Sequence, residues 1–550
     1  MTNIKTLITG LLFTVAFVSG HAEEGDTIKV VFNQNTATVT IPATAQVTSE
    51  IKGGAYVTLT STTKTEEYIY VVSGTTENGS LTLIGDYKLT LCLKGVSIES
   101  QDGAAIDVEC GKRIKVVLAD GTKNSLTDQI AGGQKGTFYF KGHPEFEGLG
   151  TLNITGRTKH GIAAKEYLQI KRTTGTINIL AAESDAIHCG KGNANNEHNY
   201  FEMNGGVVNI LKANGDGVDS DDFGVIRITG GMLNVNVSTN NTCGLKSDST
   251  LTVSGGRLNI NVEGNACDAI RSNYDVELLG GSIEINVSGD GANGIKSRNA
   301  PASEAFVFNG GYLTIDGAKC LIYVHGNDLT ESESTIYSRA ISADQFITRN
   351  NGDVEIFAYG QTGEPYYTNS PEVITGGNLT IHRAPWSFFH GDFEHCMTAH
   401  VVVSLSPNTY VPYDDYNFAI GAFVGDQCVG VAIDGYLRIY NATSTNDLIT
   451  FKAYNYDTDE TIPLHAGQEV RFTPYGVIGA DDMSQRVVLK PYIRGDVNLD
   501  GFVSIADVTT LVNIILGKQT EPYGIADIND DETISIADVT ALVNIILGKE

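Results

Sequence analysis

Two short segments near the C-terminus carry oxygen-bearing side chains at the spacing of a calcium-binding loop. Residues 496–507 read DVNLDGFVSIAD, and residues 527–538 repeat the pattern as DINDDETISIAD. A twelve-residue loop of this kind binds Ca²⁺ through positions 1, 3, 5, 7, 9 and 12, where position 7 gives a backbone carbonyl and position 9 often acts through water. We therefore predict two Ca²⁺ sites. Their ligands are Asp496, Asn498, Asp500, Phe502, Ser504 and Asp507 in the first, and Asp527, Asn529, Asp531, Thr533, Ser535 and Asp538 in the second.

The sixth loop position differs between the two copies. Gly501 suits the sharp turn there, whereas the second loop has Glu532 in place of the usual glycine, which leaves its turn open. One apolar helical segment follows each loop, and no full helix precedes it. Over residues 495–550 this pattern resembles the type I dockerin of bacterial polysaccharide-degrading systems. The resemblance implies a cohesin domain as partner, chosen in part by residues 505–506 and 536–537. Without Ca²⁺ we expect this stretch to fold poorly.

A second acidic group stands at corresponding positions of a longer repeat in the middle of the chain. Strand alternation predicts that its members share one outer face. Crowded carboxylates repel one another unless a cation lies among them, and oxygen-only ligands suit Ca²⁺. We therefore predict a further Ca²⁺ site, with a solvated face of mixed charge as the alternative. The acidic group comprises Asp185, Asp216, Asp219, Asp221 and Asp222.

Basic residues occupy the matching position of the repeats that follow. Lys246, Arg271 and Lys296 recur once per repeat, and Arg298 lies close behind the last of them. Neighbouring like charges repel by about 1 kcal/mol in water, and an anionic polymer along the row relieves that repulsion. Because one sugar unit advances by about one strand spacing, we predict binding of uronate-rich plant polysaccharide. Ca²⁺ binding without a glycan remains an alternative.

The same residues allow an enzymatic alternative. Ca²⁺ bound to a uronate acidifies its C5 proton, and a lysine with a lowered pKa can remove that proton in a β-elimination. Lys165 and Lys246 are the candidate bases. The sequence does not show that either lysine is desolvated, so we expect a non-catalytic binder rather than a polysaccharide lyase. A third alternative is a structural adhesin whose repeat serves only as a stalk.

The elements that must position these residues are short strands. The pattern Gly-x-apolar-x-apolar begins at Gly150 and recurs with a spacing of 25 residues between Gly206 and Gly281. Alternating apolar residues indicate strands, and one such signature per repeat is typical of a solenoid. No helical periodicity separates the copies, so we predict a mainly β chain built as a right-handed parallel β-helix. Serines two positions after the buried anchor residue, such as Ser247, are expected inside as a ladder of hydroxyls.

The rest of the chain divides by changes of pattern. Residues 1–22 contain a short apolar run after Lys5 and read as a secretory signal peptide. We assign residues 23–397 to the β-helix, 398–493 to a small β-sandwich spacer with alternating strands but no such period, and 494–550 to the dockerin. Aromatic residues at 366–367 and 386–390 either stack on sugars or close the open end of the solenoid, and we favour the second.

Composition excludes several classes of function. Acidic residues outnumber basic ones by 65 to 37, so a general nucleic-acid partner is not expected. No segment is long and apolar enough for a membrane span. With the signal peptide, these features predict a secreted or cell-surface-associated bacterial protein. The eight cysteines form no metal-binding spacing, and we expect them to be small core residues.

Residues 25–385 also resemble a known family. The segments 118–128, 150–156 and 160–166 are similar to secreted bacterial carbohydrate-binding β-helix proteins, which have the shape of pectate lyases and often accompany dockerins. The resemblance implies binding of cellulose or of acidic plant polysaccharide together with calcium. It leaves enzymatic activity open.

Overall fold

The computed structural model of the protein forms two compact units, residues 1–208 and 209–550. The predicted signal peptide lies outside the described residues, as do residues 387–390 of the aromatic segment. The described residues are 26–130, 132–190, 199–299, 310–331, 334–358, 365–383, 385–386, 395–406, 409–410, 418–433, 436–441, 446–455, 458–480, 483–520 and 524–549.

Strands dominate, and the prediction of a mainly β chain is confirmed. In chain order the strands are β1 (Thr27–Asn33), β2 (Thr36–Thr40), β3 (Val47–Lys52), β4 (Tyr56–Ser61), β5 (Ile69–Thr76), β6 (Ser80–Ile84), β7 (Leu89–Glu99), β8 (Ile106–Glu109), β9 (Arg113–Leu118), β10 (Lys123–Thr127), β11 (Gly136–Phe140), β12 (His143–Gly156), β13 (His160–Ala164), β14 (Leu168–Ala182), β15 (Ile187–Cys189), β16 (Tyr200–Ala213), β17 (Val218–Ser220), β18 (Val225–Val237), β19 (Cys243–Ser247), β20 (Leu251–Val262), β21 (Asp268–Ser272), β22 (Val276–Val287), β23 (Asn293–Ser297), β24 (Leu313–Val324), β25 (Leu329–Glu331), β26 (Ser334–Ile336), β27 (Arg339–Ala343), β28 (Ile347–Ala358), β29 (Tyr366–Thr368), β30 (Val373–Ile374), β31 (Asn378–Arg383), β32 (His395–Ser406), β33 (Thr409–Tyr410), β34 (Phe418–Val424), β35 (Gln427–Ile433), β36 (Tyr436–Asn441), β37 (Leu448–Asn455), β38 (Glu460–His465), β39 (Val470–Arg471), β40 (Val477–Ile478) and β41 (Val487–Pro491).

In the first unit, successive segments alternate between two parallel sheets. One sheet has the strand order β1-β5-β7-β10-β12-β14, and the other has the order β4-β6-β8-β11-β13-β15. Adjacent strands are one repeat apart, so Leu152 is opposite Ile177 and Ile162 is opposite Ile187. These four apolar side chains are fully buried. The alternating apolar pattern therefore forms strands whose inner residues stack from one repeat to the next.

The second unit continues with the same arrangement of strands. One sheet runs β18-β20-β22-β24-β28, and the other runs β17-β19-β21-β23-β27-β29. Leu233, Leu258 and Ile283 stand opposite one another at intervals of one repeat. Their side chains are buried, so the 25-residue spacing read from the sequence is the spacing between hydrogen-bonded neighbours.

Glycine pairs supply the bend inside each long strand. Gly231, Gly256 and Gly281 have φ values of 90°, 87° and 87°, a region that side chains with a Cβ rarely adopt. A Cβ at Gly255 would lie 2.5 Å from the carbonyl oxygen of Thr229 in the preceding repeat. In the pair Gly255-Gly256, the first glycine is therefore required because the backbone of the preceding repeat lies too close for a Cβ. The second is required because of its positive φ.

The serine column lies inside the second unit, as predicted, but it is not a ladder of hydroxyls. Each hydroxyl donates to a backbone carbonyl: Ser247 to Gly224 at 2.8 Å and Ser297 to Tyr312 at 2.8 Å. Both carbonyls also accept a backbone N–H, from Ser249 at 2.9 Å and from Val276 at 3.0 Å, so each hydroxyl adds a second donor to a carbonyl that already has one. The column comprises Ser220, Ser247, Ser272 and Ser297, all fully buried.

The strands after residue 395 pair in a closed circuit of the order β32-β36-β35-β34-β37-β38-β41, with β41 returning to β32. The long strand β32 makes this possible, because residues 395–400 pair with β36 while residues 401–403 pair with β41. The sequence analysis predicted a sandwich here, and the pairing shows a ring. Its interior is filled by a separate apolar cluster that includes Val401, Phe451 and Leu489.

The two described α-helices belong to the C-terminal repeats. They are α1 (Ile505–Ile515) and α2 (Ile536–Ile546), and a 3₁₀ turn spans Met483–Gln485. Leu511 and Leu542 are fully buried in a small core shared by both copies. Within the described part of the chain, no helix has the length and apolar character needed to cross a membrane.

Candidate functional site

The centre of the acidic group in the second unit is a lysine. Nζ of Lys246 lies 2.9 Å from Asp219, 3.3 Å from Asp216 and 3.8 Å from Asp221. Asp219 is only 4% exposed, and the Lys246 side chain is 20% exposed. Three of the five predicted carboxylates, Asp216, Asp219 and Asp221, therefore lie on one wall of the second unit, and a cation of the chain itself lies among them.

A second carboxylate, that of Asp268, lies beside the next two basic residues, Arg271 and Lys296. Nη1 of Arg271 lies 3.4 Å from Asp268, and Nζ of Lys296 lies 3.8 Å from the other oxygen of the same carboxylate. Asp268 is buried, and it also accepts a hydrogen bond from the amide of Asn293 at 2.8 Å. Sequence reasoning did not select Asp268, although it occupies the position one repeat after Cys243 in the strand register.

The three cations form the predicted row. Strand register places Lys246 opposite Arg271 and Arg271 opposite Lys296. Each of them faces at least one carboxylate, so their mutual repulsion is offset inside the protein. The wall is consequently a mixed-charge surface with a surplus of acid. The acids are Asp216, Asp219, Asp221 and Asp268.

The remaining predicted members lie at the margin of this wall. Asp222 is exposed and has a φ of 53°, and its backbone N–H donates to Asp248 at 3.0 Å. Burial, and next the charge of Asp221, raise the pKa of Asp248. Arg298 follows β23 and is half-buried. Asp248 is thus a further carboxylate of the wall that sequence reasoning missed.

The two candidate bases have different surroundings. Burial acts to lower the pKa of Lys246, but the charges of Asp219 and Asp216 outweigh it and raise that pKa. A lysine held as a cation is a poor proton acceptor at neutral pH. Lys165 lies half-buried just after β13, in the first unit, and its backbone N–H donates to Phe140. The lowered pKa on which the lyase alternative depends is therefore not found at Lys246.

Asp185, in the first unit, contacts two histidine rings. Its Oδ2 lies 3.1 Å from Nδ1 of His160 and 3.2 Å from Nδ1 of His188. The two rings stack with centroids 4.4 Å apart and an angle of 12° between their planes. Burial lowers the pKa of His160, although the charge of Asp185 acts to raise it. This group combines nitrogen and oxygen donors, unlike the oxygen-only set of the second unit.

The first C-terminal loop has the form of a preorganised cation cradle. Asp496 is buried and accepts backbone N–H groups from Asp500 at 3.1 Å and Gly501 at 2.8 Å. Asp507, also buried, accepts from Asn498 at 3.0 Å and from Ser504 at 2.8 Å. Backbone N–H groups therefore orient the carboxylates of the first and twelfth positions, and the donor set is the one Ca²⁺ prefers.

The second loop repeats these contacts. Asp527 accepts from Asp531 at 3.1 Å and from Glu532 at 2.8 Å, and Asp538 accepts from Asn529 at 3.2 Å. The sequence left this turn open because of Glu532. Glu532 adopts the left-handed conformation with a φ of 66°, as Gly501 does with 93°, so the turn is kept in both loops.

Two loop serines have a role that the motif does not reveal. Ser504 and Ser535 are the N-caps of α1 and α2, and their hydroxyls accept from Ala506 and Ala537 at 3.1 Å. The twelfth residue of each loop completes the capping box. Ion binding and helix initiation are thus coupled through the same residues.

The contacts of Trp386 favour the prediction that the aromatic segment closes the end of the solenoid over the alternative that it stacks on sugars. Trp386 packs edge-on against Phe423, with centroids 5.3 Å apart, and against Tyr454 at 6.3 Å. These rings belong to a cluster that joins β24 and β28 to the C-terminal ring. The eight cysteines are free thiols, six of them buried, which agrees with their prediction as core residues.

Comparison with known proteins gives two family matches. Residues 53–387 match the family described as "Carbohydrate-binding domain-containing protein", and residues 494–547 match the type I dockerin domain. The dockerin predicted from the loop spacing is thereby confirmed. Type I dockerins bind calcium, and a dockerin implies a cohesin partner.

Two individual proteins are similar to parts of the chain. A carbohydrate-binding domain-containing protein of Acetivibrio thermocellus is 29% identical over 127 residues, which cover 21% of this chain and 44% of that protein. The chain thus spans less than half of that relative. A solved structure, described as a polysaccharide lyase-like protein from C. thermocellum in a gadolinium derivative, has a TM-score of 0.37 and 19% identity. It covers 48% of this chain and 97% of its own.

Proposed function

The chain belongs to the carbohydrate-binding domain-containing protein family, and from this premise we propose that it is a calcium-dependent, non-catalytic binder of acidic plant polysaccharide. Its dockerin attaches it to a cohesin of a scaffold or surface protein. The proposed organisation is a secreted chain with a signal peptide at 1–22, a right-handed parallel β-helix at 23–397, a β spacer at 398–493 and the dockerin at 494–550.

The observation that carries the proposal is the charge arrangement around Lys246. Three carboxylates face its single ammonium group within 3.8 Å. An ion pair satisfies one negative charge, so the group retains an excess that attracts a divalent cation. Ca²⁺ accepts carboxylate oxygens in flexible numbers, which suits acids that already make other contacts. We therefore place the proposed Ca²⁺ beside Asp216, Asp219 and Asp221.

This arrangement also explains why calcium is proposed as a requirement. Without the ion, a wall with more carboxylates than cations repels a uronate polymer. With Ca²⁺ bound, the uronate carboxylates complete the coordination of the ion, and the row of Lys246, Arg271 and Lys296 continues along the sheet for further sugar units. Arg298 extends the same row at its end.

The test is retention on immobilised polygalacturonate in Ca²⁺ and in EDTA. We expect retention that EDTA abolishes, and loss of retention in Asp216→Ala/Asp219→Ala and in Lys246→Ala/Arg271→Ala. The matched control is Glu284→Ala/Arg257→Ala, which removes a solvent-exposed ion pair of the opposite sheet. Retention that is unchanged in both site variants contradicts the proposal and leaves the stalk alternative.

The enzyme alternative is tested with the same material. A polysaccharide lyase releases an unsaturated product that absorbs in the ultraviolet when polygalacturonate and Ca²⁺ are present. We expect no such absorbance from a non-catalytic binder. A rise in absorbance that Lys165→Ala or Lys246→Ala abolishes overturns the non-catalytic assignment.

A further inference from the structure

We propose that His160, Asp185 and His188 form a binding site for a divalent transition-metal ion of the zinc class. The three residues belong to the first unit, and the proposal does not depend on carbohydrate binding. One ligand atom from each lies within 4.8 Å of the other two. Strand pairing brings them together, because β13 and β15 are neighbours one repeat apart.

The distances suit direct coordination. Nδ1 of His160 and Nδ1 of His188 lie 3.1 Å and 3.2 Å from the same oxygen of Asp185. Zinc binds histidine nitrogen and carboxylate oxygen at about 2.0–2.2 Å, so two ligands at a tetrahedral angle stand about 3.4 Å apart. Only a small adjustment of the rings is needed to admit the ion. Both rings present the same nitrogen, as expected for two ligands that share one ion.

An unsatisfied buried atom is the second observation. His160 is 4% exposed, and among the described residues its Nδ1 has no partner with hydrogen-bond geometry, although it faces Asp185. Buried polar atoms in folded proteins nearly always have a partner. A metal ion between the ring and the carboxylate supplies one. A neutral imidazole nitrogen has a lone pair that a metal ion can accept.

The donor chemistry selects the kind of metal. Ca²⁺ takes oxygen ligands and has little affinity for imidazole, whereas two imidazoles and one carboxylate suit Zn²⁺ and similar ions. The His188 side chain is 13% exposed, so the site is reachable from solvent. Water can complete the coordination there. The ion would cross-link β13 to β15 in neighbouring repeats.

The experiment uses the full chain, stripped with a chelator and then kept in excess Ca²⁺ so that the dockerin loops are filled. Zn²⁺ is added, and bound metal is measured by titration calorimetry and by elemental analysis. We expect one Zn²⁺ per chain that His188→Ala loses, with an affinity loss of at least about tenfold. The control is His143→Ala, which removes a half-buried histidine that pairs with Glu166 and stacks on Tyr167, and which should leave Zn²⁺ binding unchanged.

A spectroscopic readout keeps the proposal falsifiable if His188→Ala fails to fold. Co²⁺ replaces Zn²⁺ and gives visible absorption bands whose intensity reports nitrogen-containing, low-coordinate sites. We expect these bands in the unaltered chain and in His143→Ala. The proposal is overturned if the unaltered chain in Ca²⁺ binds no Zn²⁺ and shows no Co²⁺ bands, or if a folded His188→Ala binds both ions as well as the unaltered chain does.

Discussion

Nζ of Lys246 lies 2.9 Å from Oδ1 of Asp219, a carboxylate that is almost completely buried. Strand register places the two residues directly opposite each other on neighbouring strands, β17 and β19. The consequence is a competition. The lysine and a bound Ca²⁺ can neutralise the same carboxylates, so each substitutes in part for the other.

Lys246→Ala is expected to destabilise the protein in the absence of Ca²⁺. The substitution leaves Asp216, Asp219 and Asp221 without their ammonium partner. Removing one member of a buried pair costs 3–5 kcal/mol. Since the Lys246 side chain is 20% exposed, we expect a loss of about 1–3 kcal/mol in the free energy of unfolding. Chemical denaturation with and without Ca²⁺ measures it.

Calcium should restore more stability to Lys246→Ala than to the unaltered chain, because the ion replaces the missing charge. Lys141→Ala is the control, since Lys141 forms a solvent-exposed pair with Glu109 at 3.3 Å and should change stability by less than about 1 kcal/mol. An equal response to Ca²⁺ in all three proteins would show that no ion binds beside these carboxylates.

Asp107→Asn is expected to stabilise the first unit at neutral pH. Burial, and next the charge of Glu109, raise the pKa of Asp107 to about 6, from an ordinary value of 3.8. The folded state therefore holds this proton more tightly than the unfolded state. The resulting stability is fully present below about pH 4 and is lost as the pH rises through about 6. We expect a gain of about 1–2 kcal/mol at pH 7 for the variant.

The measurement for Asp107 is the unfolding free energy between pH 4 and pH 8, in the chelated protein. The variant should show a flatter profile than the unaltered chain over the interval where Asp107 titrates. Exposed Asp102 gives the matched control as Asp102→Asn. Parallel profiles for the unaltered chain and Asp107→Asn would contradict the assignment of the pH dependence to this carboxyl.

Removal of calcium is expected to unfold the dockerin and leave the β repeats folded. Asp496, Asp500 and Asp507 converge on one loop, and without a cation their charges repel. Because Ser504 and Asp507 also cap α1, loss of the loop removes the start of the helix. On addition of EDTA, circular dichroism should show loss of the helical signal. A separate binding assay should show loss of cohesin binding. Asp496→Ala/Asp527→Ala should show no calcium response, and a helical signal indifferent to EDTA would exclude the coupling.

Local spacing determined how much of this protein could be predicted. The ligands of each calcium loop lie within twelve consecutive residues, so both loops, and with them the resemblance to a dockerin, could be recognised in the sequence. The 25-residue repeat likewise gave the register of Lys246 with Arg271. Register fixes which residues are neighbours, but it does not fix how far a side chain reaches. The pairing of Asp268 with two cations therefore became visible only in the structure.

Long-range pairing limited the prediction in the C-terminal strands. Alternation located the strands correctly but said nothing about the order in which they pair. The ring depends on β32, whose two halves bond different partners far apart in sequence. The cluster of His160, Asp185 and His188 was missed for a different reason. Asp185 was grouped with the other carboxylates, and only side-chain geometry shows that both histidine rings turn toward it.

Glu532→Gly is expected to stabilise the second calcium loop. Glu532 has a φ of 66°, which costs a residue with a Cβ about 1 kcal/mol relative to glycine. Its backbone N–H donates to Asp527 at 2.8 Å, so the conformation is required by the ion cradle and cannot relax without loss of that bond. The variant should therefore bind Ca²⁺ at this loop several-fold more tightly and raise the melting temperature of the dockerin.

The mirror substitution in the first loop, Gly501→Glu, starts from a φ of 93° and should weaken binding there by a similar factor. Calorimetric titration of both variants measures the two effects, and a Glu532→Gly variant with unchanged affinity would mean that the side chain itself contributes to the bound state.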